Sequence, residues 1–471
     1  MKGFCRRINL KKDKGYAWLV LAFAIITYGL HMGFGLAVVG NMTIAHQKLF
    51  DIGVEQAGLI STAHLASIFL FGPIASLFTK RFGCRAVSIF GGCCVIVGVG
   101  VSSFSTQPWH AFVLFGIVAG AGIGCLLISS TEALAKYFDK YRYLAFSLVT
   151  LGQNVGITAW ASLSQLLLDN FGYATAMRIL ASFHIVHVIF GIALVEPTSE
   201  VSEGRKRESF SDHPDATNIK NEVACEKIGE DEEQGESTQR ETKLEGSIEM
   251  TKPTFRQIFT STLKSFEAWI LILNQLLWGT NEATALAFTN DFIVYKLNLS
   301  EEEAALGITI LGIATICASL LVMALSKLTF NRTIPHAVGT AVFGLSTIGI
   351  AFSVNKAMFY SMCALFGLGH GTCISNLAAF LYEYTTADRF AILFGVMMLA
   401  EGVAVISSTP LVGYIILHVG EEYGMIFSGC CGVIATLSLL PIPARRVWKS
   451  RKYAEEMEVA VTFQKTKTTE T

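Results

Sequence analysis

The feature that most constrains this chain is a succession of long apolar stretches that fill most of its 471 residues. The hydrocarbon core of a bilayer is roughly 30 Å thick, so a helix needs about 20 mostly apolar residues to cross it. Measured against that length, the sequence predicts twelve spans, at 16–38, 56–78, 86–105, 109–135, 143–168, 173–195, 267–290, 303–325, 334–354, 357–383, 389–415 and 422–442.

The spans are predicted to be α-helices. In lipid, only helices and closed barrels satisfy every backbone hydrogen bond, and barrels need short strands of alternating polarity that this sequence lacks. Only 15% of the residues are charged, against about a quarter in an average soluble domain. The predicted fold class is an all-α polytopic membrane protein of twelve transmembrane helices.

A polar segment between the sixth and seventh spans divides the chain into two halves. Residues 196–265 include the acidic run Glu230–Glu233 and the basic run Arg205–Arg207. Such a composition buries too little apolar surface to offset the chain entropy, so this loop is predicted to be disordered. Six spans on either side of a loop are the organisation of carriers built from repeated halves. The predicted units are an N-tail at 1–15, an N-terminal six-helix bundle at 16–195, the loop at 196–265, a C-terminal six-helix bundle at 266–442 and a C-tail at 443–471.

The distribution of Lys and Arg predicts the orientation, because cytoplasmic loops of membrane proteins carry an excess of these residues. With the N-terminus inside, the predicted outer loops hold only Lys48, Lys296 and Lys356 of the 36 basic residues. Both termini are therefore predicted to be cytoplasmic. The net charge of −1 gives no reason to expect nucleic acid as a partner.

The sequence contains none of the short motifs that would indicate an enzyme. It has no G-x-S-x-G, no H-E-x-x-H and no P-loop G-x-x-x-x-G-K-[ST]. Its 11 Cys include no C-x-x-C pair that would indicate a zinc or redox site. We therefore expect no catalytic residues, no metal and no cofactor.

Two motifs in the first half resemble a known family. The segment Asp13–Trp18 opens the first span, and the segment Lys136–Ala145 leads from the fourth span into the fifth, where Gly152 and Gly156 follow. These segments resemble the two signatures of the monocarboxylate transporter family, a branch of the major facilitator superfamily. The Gly-x-x-x-Gly spacing also predicts close packing of the fifth helix against a neighbour.

The resemblance implies the major facilitator fold and transport by alternating access through a central cavity in the plasma membrane. The substrate it implies is a small organic solute, by family a monocarboxylate, moved by symport. Protons and a single-span accessory glycoprotein are the further partners that it suggests. The basic loop between spans two and three is similar to the gating signature of the wider superfamily, and the loop between spans four and five is part of the family signature. We expect gating roles for Lys80, Arg81 and Arg85 in the first loop and for Lys140 and Arg142 in the second.

Polar and ionisable residues inside the spans are the candidate substrate-binding groups. Each costs a few kcal/mol at the bilayer centre, so each is expected to have a functional or structural reason to be there. His31 and Glu282 lie at matching places in the first and seventh spans and are expected to face the cavity; for His31 the alternative is a packing role. The full predicted set is His31, Asn154, Arg178, Asn281, Glu282, His370 and Asn376.

The chain departs from the family at the positions that bind the carboxylate and the proton. Where proton-coupled members carry a Lys in helix one and an Asp and an Arg in helix eight, this sequence has Leu36, Thr315 and Ser319. A carboxylate in a low-dielectric cavity needs a cationic partner, for which His31 or Arg178 could substitute. The alternatives are a neutral, zwitterionic or cationic solute, or a non-transporting membrane sensor or partner protein with the same fold.

Overall fold

The computed structural model describes residues 12–195, 255–325, 331–442 and 445, and all regular structure in these ranges is helical. The helices of the first half are α1 (Tyr16–Phe50), α2 (Val54–Leu70), α3 (Gly72–Ser102), α4 (Pro108–Tyr137), α5 (Arg142–Phe183) and α6 (Ile185–Ala193). Within α4, the stretch Phe112–Ala119 is π-helical. All six predicted spans of this half are therefore helical.

Two glycines mark the turns between spans inside α3 and α5. The stretch Arg142–Ala193 has 52 residues, which as a helix would extend roughly 80 Å, more than twice the hydrocarbon thickness. Its one residue with non-helical dihedrals is Gly172, at φ 69° and ψ 170°, and Gly83 interrupts α3 in the same way at φ 85°. A positive φ is costly for any residue with a Cβ. The chain therefore reverses direction at these glycines and enters the next span.

The helices of the second half match the predicted spans seven to twelve. They are α7 (Phe255–Leu263), α8 (Phe266–Leu297), α9 (Glu301–Leu325), α10 (Thr333–Ala351), α11 (Lys356–Tyr382), α12 (Ala387–His418) and α13 (Glu421–Ser438). By length and composition alone, eight helical stretches in the described ranges can cross a membrane. The stretch Arg142–Ala193 is counted once, although it holds two predicted spans. The helices α2, α8 and α13 are not among the eight.

One boundary of the predicted central loop is wrong. The prediction of disorder over 196–265 fails at its end, because α7 is helical and packs against α12. Its apolar residues Ile258, Phe259 and Leu263 recur at a helical spacing, so a short amphipathic helix gains burial there that a free loop would not. Residues 196–254 and most of the predicted C-tail lie outside the described residues.

Within the N-terminal bundle, α1 packs closely against α5. A Cβ placed on Gly156 would lie 2.6 Å from the Cα of Gly29, and one placed on Gly33 would lie 2.7 Å from the carbonyl carbon of Gly156. The close packing predicted from the Gly-x-x-x-Gly spacing is confirmed. The two bundles meet along two seams, where α2 and α3 contact α12, and α5 contacts α9 and α11.

We expect that Gly156→Ala destabilises the protein by about 1–3 kcal/mol, because the added methyl group overlaps backbone atoms that cannot move aside. The matched control is Gly413→Ala, since no atom lies within 4 Å of a Cβ at that position. Thermal unfolding in detergent should show a clear fall in midpoint for the first variant and no fall for the second. Equal midpoints would contradict this account of the packing.

Candidate functional site

The chain segments at the beginning of α1 and α5 are joined by one carboxylate. Asp13 accepts hydrogen bonds from the backbone N–H groups of Asp139 at 3.0 Å, Lys140 at 3.1 Å and Tyr141 at 3.1 Å. The predicted gating residue Lys140 therefore contributes its backbone here. We call this end of the molecule, where α1 begins and α13 ends, the terminal face.

The two bundles contact each other at the terminal face through rings and guanidinium groups. The guanidinium carbon of Arg142 lies 3.8 Å from the ring centroid of Tyr382, and that of Arg332 lies 4.5 Å from the ring of Tyr143. The first pair joins α5 to α11 of the C-terminal bundle. The second pair joins the residue that precedes α10 to α5 of the N-terminal bundle. Of the five predicted gating residues, Arg142 makes such a contact. The terminal gate is defined as Arg142, Tyr143, Arg332 and Tyr382 together with the stacked rings of Phe146 and Phe390, 5.9 Å apart.

The other predicted gating residues make contacts within the N-terminal bundle. Lys80 and Lys136 both pair with the buried carboxylate of Glu132, at 3.1 and 3.0 Å. Arg81 lies over the ring of the residue that follows it, 5.4 Å from its centroid, and Arg85 is close enough to Tyr16 to interact electrostatically. Lys80 thus joins α3 to α4 rather than one bundle to the other.

A row of neutral side chains links the bundles more deeply. The predicted site residue Asn154, on α5, donates from Nδ2 to Oγ of Ser319 on α9 at 2.8 Å, and Oγ of Ser375 donates to the same oxygen at 2.8 Å. Ser147 adds a contact of 3.4 Å to the carbonyl of Ser375. Ser319 stands where the family resemblance places an arginine. The seam therefore replaces that charge with hydroxyl hydrogen bonds, and Asn154 contributes to closure of the seam.

A cavity of about 80 Å³ lies between the bundles. Its volume exceeds that of a single water site several-fold, so it has room for a small solute. The N-terminal bundle contributes Tyr28 and Gln153, and the C-terminal bundle contributes Trp278, Glu282 and Glu401. Most of the remaining lining is aliphatic or aromatic. Among the described residues that line the cavity, none is Lys or Arg.

Two acidic side chains at the cavity each form a hydrogen-bonded pair, and we call the two pairs together the carboxyl cluster. Oε1 of Glu282 lies 2.7 Å from Nε2 of His370, and Oε2 of Glu401 accepts from Nε2 of Gln275 at 2.8 Å. Both carboxyl groups line the cavity. The ring of Trp278 stacks on that of His370 with an interplanar angle of 6°. The carboxyl cluster is Gln275, Glu282, His370 and Glu401.

Helix geometry explains how the cluster forms. Gln275, Trp278 and Glu282 follow one another at intervals of three and four residues, which places them on one face of α8. On the same face, Gly279 has no side chain, and a Cβ there would lie 3.1 Å from Cγ of Glu401. The missing side chain lets α12 approach, so the Glu401 carboxyl reaches Gln275.

The predicted cavity-facing position of His31 is wrong. Its side chain is fully buried, and its ring lies 5.4 Å from that of His187, between α1 and α6. Successive helical residues are about 100° apart, so Tyr28, Met32 and Leu36 share one face of α1 and line the cavity. His31 points to the side of that face. The packing role, the alternative drawn from the sequence, is the one that its position supports.

The remaining predicted residues lie away from the cavity lining. Asn281 contacts Ser428 of α13, 3.0 Å from Oδ1 to Oγ, and Asn376 donates to the backbone oxygen of Arg332 at 2.7 Å. Arg178 lies over an aromatic ring near the far end of α3, 4.6 Å from its centroid. Each of the three joins elements of a single bundle. Of the seven predicted binding residues, the structure thus brings Glu282 and His370 together.

The sequence prediction omitted Glu401, Gln275 and Tyr28 from the site. Glu401 bonds Gln275 of the neighbouring helix and also lines the cavity. The signal that could have found the cluster is the heptad interval between Gln275 and Glu282 on one helix. No group of three metal-ligating side chains converges in the part of the chain that the structure describes.

Comparison with known proteins identifies relatives of the whole membrane part. The family model described as Major Facilitator Superfamily matches residues 15–290 and 270–469. Human monocarboxylate transporter 6 is 23% identical over 88% of this chain and 78% of its own length. Monocarboxylate transporter 9 of Pongo abelii is 26% identical over 92% of this chain and 95% of its own length. The crystal structure of FucP, a Major Facilitator Superfamily transporter, in its outward conformation covers 90% of this chain and 98% of FucP with a TM-score of 0.64 at 12% identity.

We expect that Tyr382→Leu opens the terminal gate, because it removes the ring beneath Arg142. A cation–π contact of about 1 kcal/mol corresponds to a change of about fivefold in the ratio of closed to open molecules. Spin labels attached through unnatural amino acids at positions 140 and 386 should report a longer-distance population in the variant. The control is Tyr414→Leu, an exposed tyrosine that stacks on His418 within its own helix. An unchanged distance distribution would contradict the assignment.

A second prediction concerns the pH dependence of the Asp13 contacts. Burial alone raises the pKa of the Asp13 carboxyl, but the N–H groups of Asp139, Tyr141 and Lys140 and the charge of Arg142 outweigh it and hold that pKa below its usual value. The stabilisation is therefore present above the unfolded-state pKa of about 3.9 and is lost as pH falls through the folded-state pKa.

Asp13→Asn should accordingly lower the thermal midpoint by a constant amount above about pH 4, and the difference should shrink at lower pH. The control is Asp169→Asn. In the described ranges, the hydrogen bonds of the Asp169 carboxylate come from Gln165, one turn earlier in the same helix. A difference that grows as the pH falls would have the wrong sign for this interaction.

Proposed function

Because the chain belongs to the Major Facilitator Superfamily, we propose that it carries a small organic solute across a membrane by alternating access at the cavity between its bundles. The chain is a multi-pass membrane protein and its curated relatives are monocarboxylate transporters. The main support for the substrate class proposed below is that Glu282 and Glu401 line the cavity and that no described Lys or Arg does. A solute whose charged group is positive fits that cavity best.

Charge is the first argument for this substrate class. A carboxylate substrate would lie beside Glu282 and Glu401 in a site largely shielded from water, where like charges repel strongly. The side chain of Glu282 is 16% exposed and Glu401 is 4% exposed, so solvent screens them weakly. A cationic or amine-bearing solute would instead supply the opposite charge that a buried carboxylate needs.

The shape of the lining is the second argument. Trp278, Phe146 and Phe394 line the cavity along with Tyr28. Aromatic faces attract cations with about 0.5–2 kcal/mol each, depending on how far the site is desolvated. A cavity that combines aromatic faces with carboxyl groups suits a small organic ammonium group better than a carboxylate.

The contacts between the bundles support alternating access. The terminal gate closes the molecule between the terminal face and the cavity, and the row from Ser147 to Ser319 joins the bundles beside the cavity. Because the basic loops gather at the terminal face, we assign that face to the cytoplasm, in the plasma membrane as the family resemblance implies. The structure then corresponds to a state closed to the cytoplasm. Rocking of the bundles would break the gate and expose the cavity to that side.

A monocarboxylate is the second candidate, because human monocarboxylate transporter 6 and monocarboxylate transporter 9 of Pongo abelii carry that name. Such a substrate would have to enter with its charge neutralised, since the three family charges are replaced by Leu36, Thr315 and Ser319. A non-transporting sensor would bind a solute in the same cavity without moving it.

Uptake into proteoliposomes distinguishes these functions. We expect saturable, protein-dependent uptake of labelled choline at neutral pH and no saturable uptake of labelled lactate. Glu282→Gln should lower choline uptake at least tenfold, because it removes the charge that pairs with the ammonium group. The control Glu422→Gln removes a carboxylate that is paired with Lys296 at 2.5 Å outside the cavity and is 53% exposed, and it should leave uptake unchanged.

Saturable lactate uptake at neutral pH that survives Glu282→Gln would overturn the proposed charge preference and favour the monocarboxylate. Choline binding without counterflow would favour the sensor. No saturable flux of choline, lactate or the zwitterion betaine would count against a carrier of small charged solutes.

A further inference from the structure

A narrow apolar groove lies between α1 and α6, apart from the cavity that lies between the bundles. Leu19 and Phe23 of α1 form one wall, Phe190 and Leu194 of α6 form the other, and Tyr16 lies at the end nearest to the terminal face. We call it the lateral groove. None of the described residues that line it also lines the cavity, so the lateral groove is a separate site.

The lateral groove belongs to a surface that faces the hydrocarbon of the bilayer. On its two helices, Leu19 and Ile26 of α1 and Ile189 and Ile192 of α6 are each about half exposed. Exposed apolar side chains of a membrane-spanning helix contact the acyl chains of the surrounding lipid. The occupant that suits an apolar groove in this position is therefore an acyl chain.

Two tyrosines fix the end of the lateral groove. The hydroxyl of Tyr16 donates to the carbonyl of Ala193, and the hydroxyl of Tyr137 donates to the carbonyl of Val195. The N–H of Val195 in turn donates to the Tyr137 hydroxyl at 3.2 Å. These bonds hold the end of α6 against α1 and α4, so the described helices set the shape of the groove.

The aromatic residues at the beginning of α1 indicate the depth of the groove in the membrane. Trp18 is 39% exposed, and its indole N–H donates to the backbone oxygen of Asp13 at 3.0 Å. Trp and Tyr side chains concentrate at the level of the lipid head groups. Tyr16 and Trp18 therefore place the end of the groove at that level, where the phosphate groups of the lipids lie.

The terminal face of the N-terminal bundle carries a surplus of positive charge. Residues 12–16, 79–86 and 132–142 hold eight Lys and Arg but three Asp and Glu. Each of these three acids already has partners within the bundle, in hydrogen bonds or ion pairs. The described residues therefore do not neutralise the surplus.

Three of the basic residues lie near the end of the lateral groove. Arg85 is close enough to Tyr16 to interact electrostatically, and Lys12 and Lys14 come just before Tyr16 in the chain. All three are exposed, and none forms an ion pair with another described residue. Basic residues at the cytoplasmic surface of a membrane attract its anionic lipids.

We propose that the lateral groove binds one anionic phospholipid of the cytoplasmic leaflet, with an acyl chain against Leu19 and Phe23 and the phosphate at Arg85 and Lys14. The acyl chain fits the apolar walls, and the head group gives selectivity over lipids without net charge. One basic residue at the surface changes the affinity for an anionic lipid about fivefold. The site is independent of the solute that the carrier moves.

Native mass spectrometry of the purified full-length protein tests this site. With phosphatidylserine and phosphatidylcholine of the same acyl chains present in equal amounts, we expect one phosphatidylserine to stay bound under conditions that remove phosphatidylcholine. Glycerophosphoserine, which has the same head group without acyl chains, should not displace it. Equal retention of the two lipids, or displacement by glycerophosphoserine, would overturn the proposal.

Two variants separate the head-group contact from the groove. Arg85→Gln should lower the affinity for phosphatidylserine about fivefold, and Leu19→Trp should lower it at least as much, because the larger side chain fills the groove. The matched controls are Lys48→Gln, which removes an exposed cation at the opposite end of α1, and Leu59→Trp, which enlarges an exposed residue of α2. Both controls should bind phosphatidylserine as the unmodified protein does.

A loss of affinity in Arg85→Gln without any loss in Leu19→Trp would indicate attraction to the charged surface alone and would rule out the groove as the binding site. Unchanged affinity in Arg85→Gln would contradict the head-group contact. If Arg85→Gln does not fold, Lys14→Gln takes its place with the same expected result, since Lys14 is exposed and precedes the first helix.

Discussion

Hydrocarbon around a helix bundle supplies no hydrogen bonds, and this constraint governs where every polar side chain of the protein lies. A polar group inside a span must find its partner on another helix or face an internal space. Asn281 bonds across to α13, Asn376 bonds the residue before α10, and Glu401 bonds α8. The hydrogen bonds of these residues therefore identify pairs of helices that are in contact.

Close packing of helices makes those contacts possible. At Gly156 the absence of a side chain brings α5 onto α1, and at Gly279 it brings α12 onto α8. The first approach joins two helices of the N-terminal bundle, and the second places the Glu401 carboxyl of α12 against Gln275 of α8. A missing side chain therefore allows close helix packing in the N-terminal half and positions a cavity-lining residue in the C-terminal half.

Much of the architecture was predictable, since hydropathy and length depend on local sequence alone. The twelve spans and the close approach at Gly156 follow from such local features. The position of His31 could not be predicted from its place in the middle of a span, because the face of α1 that lines the cavity depends on which helices surround it. Glu401 was left out of the predicted site, because its contact with Gln275 joins positions 126 residues apart, a pairing that no sequence periodicity records. The helix α7 was missed because a nine-residue amphipathic segment at the edge of a polar loop gives a weak signal.

The row formed by Asn154, Ser319 and Ser375 has a consequence for the conditions under which the carrier can work. Its hydrogen bonds join amide and hydroxyl groups, which neither titrate near neutral pH nor attract counter-ions. An ion pair at the same seam would weaken at high salt concentration, and its strength would depend on pH. The contribution of this row to closure is therefore nearly the same in dilute and in concentrated media and changes little across neutral pH.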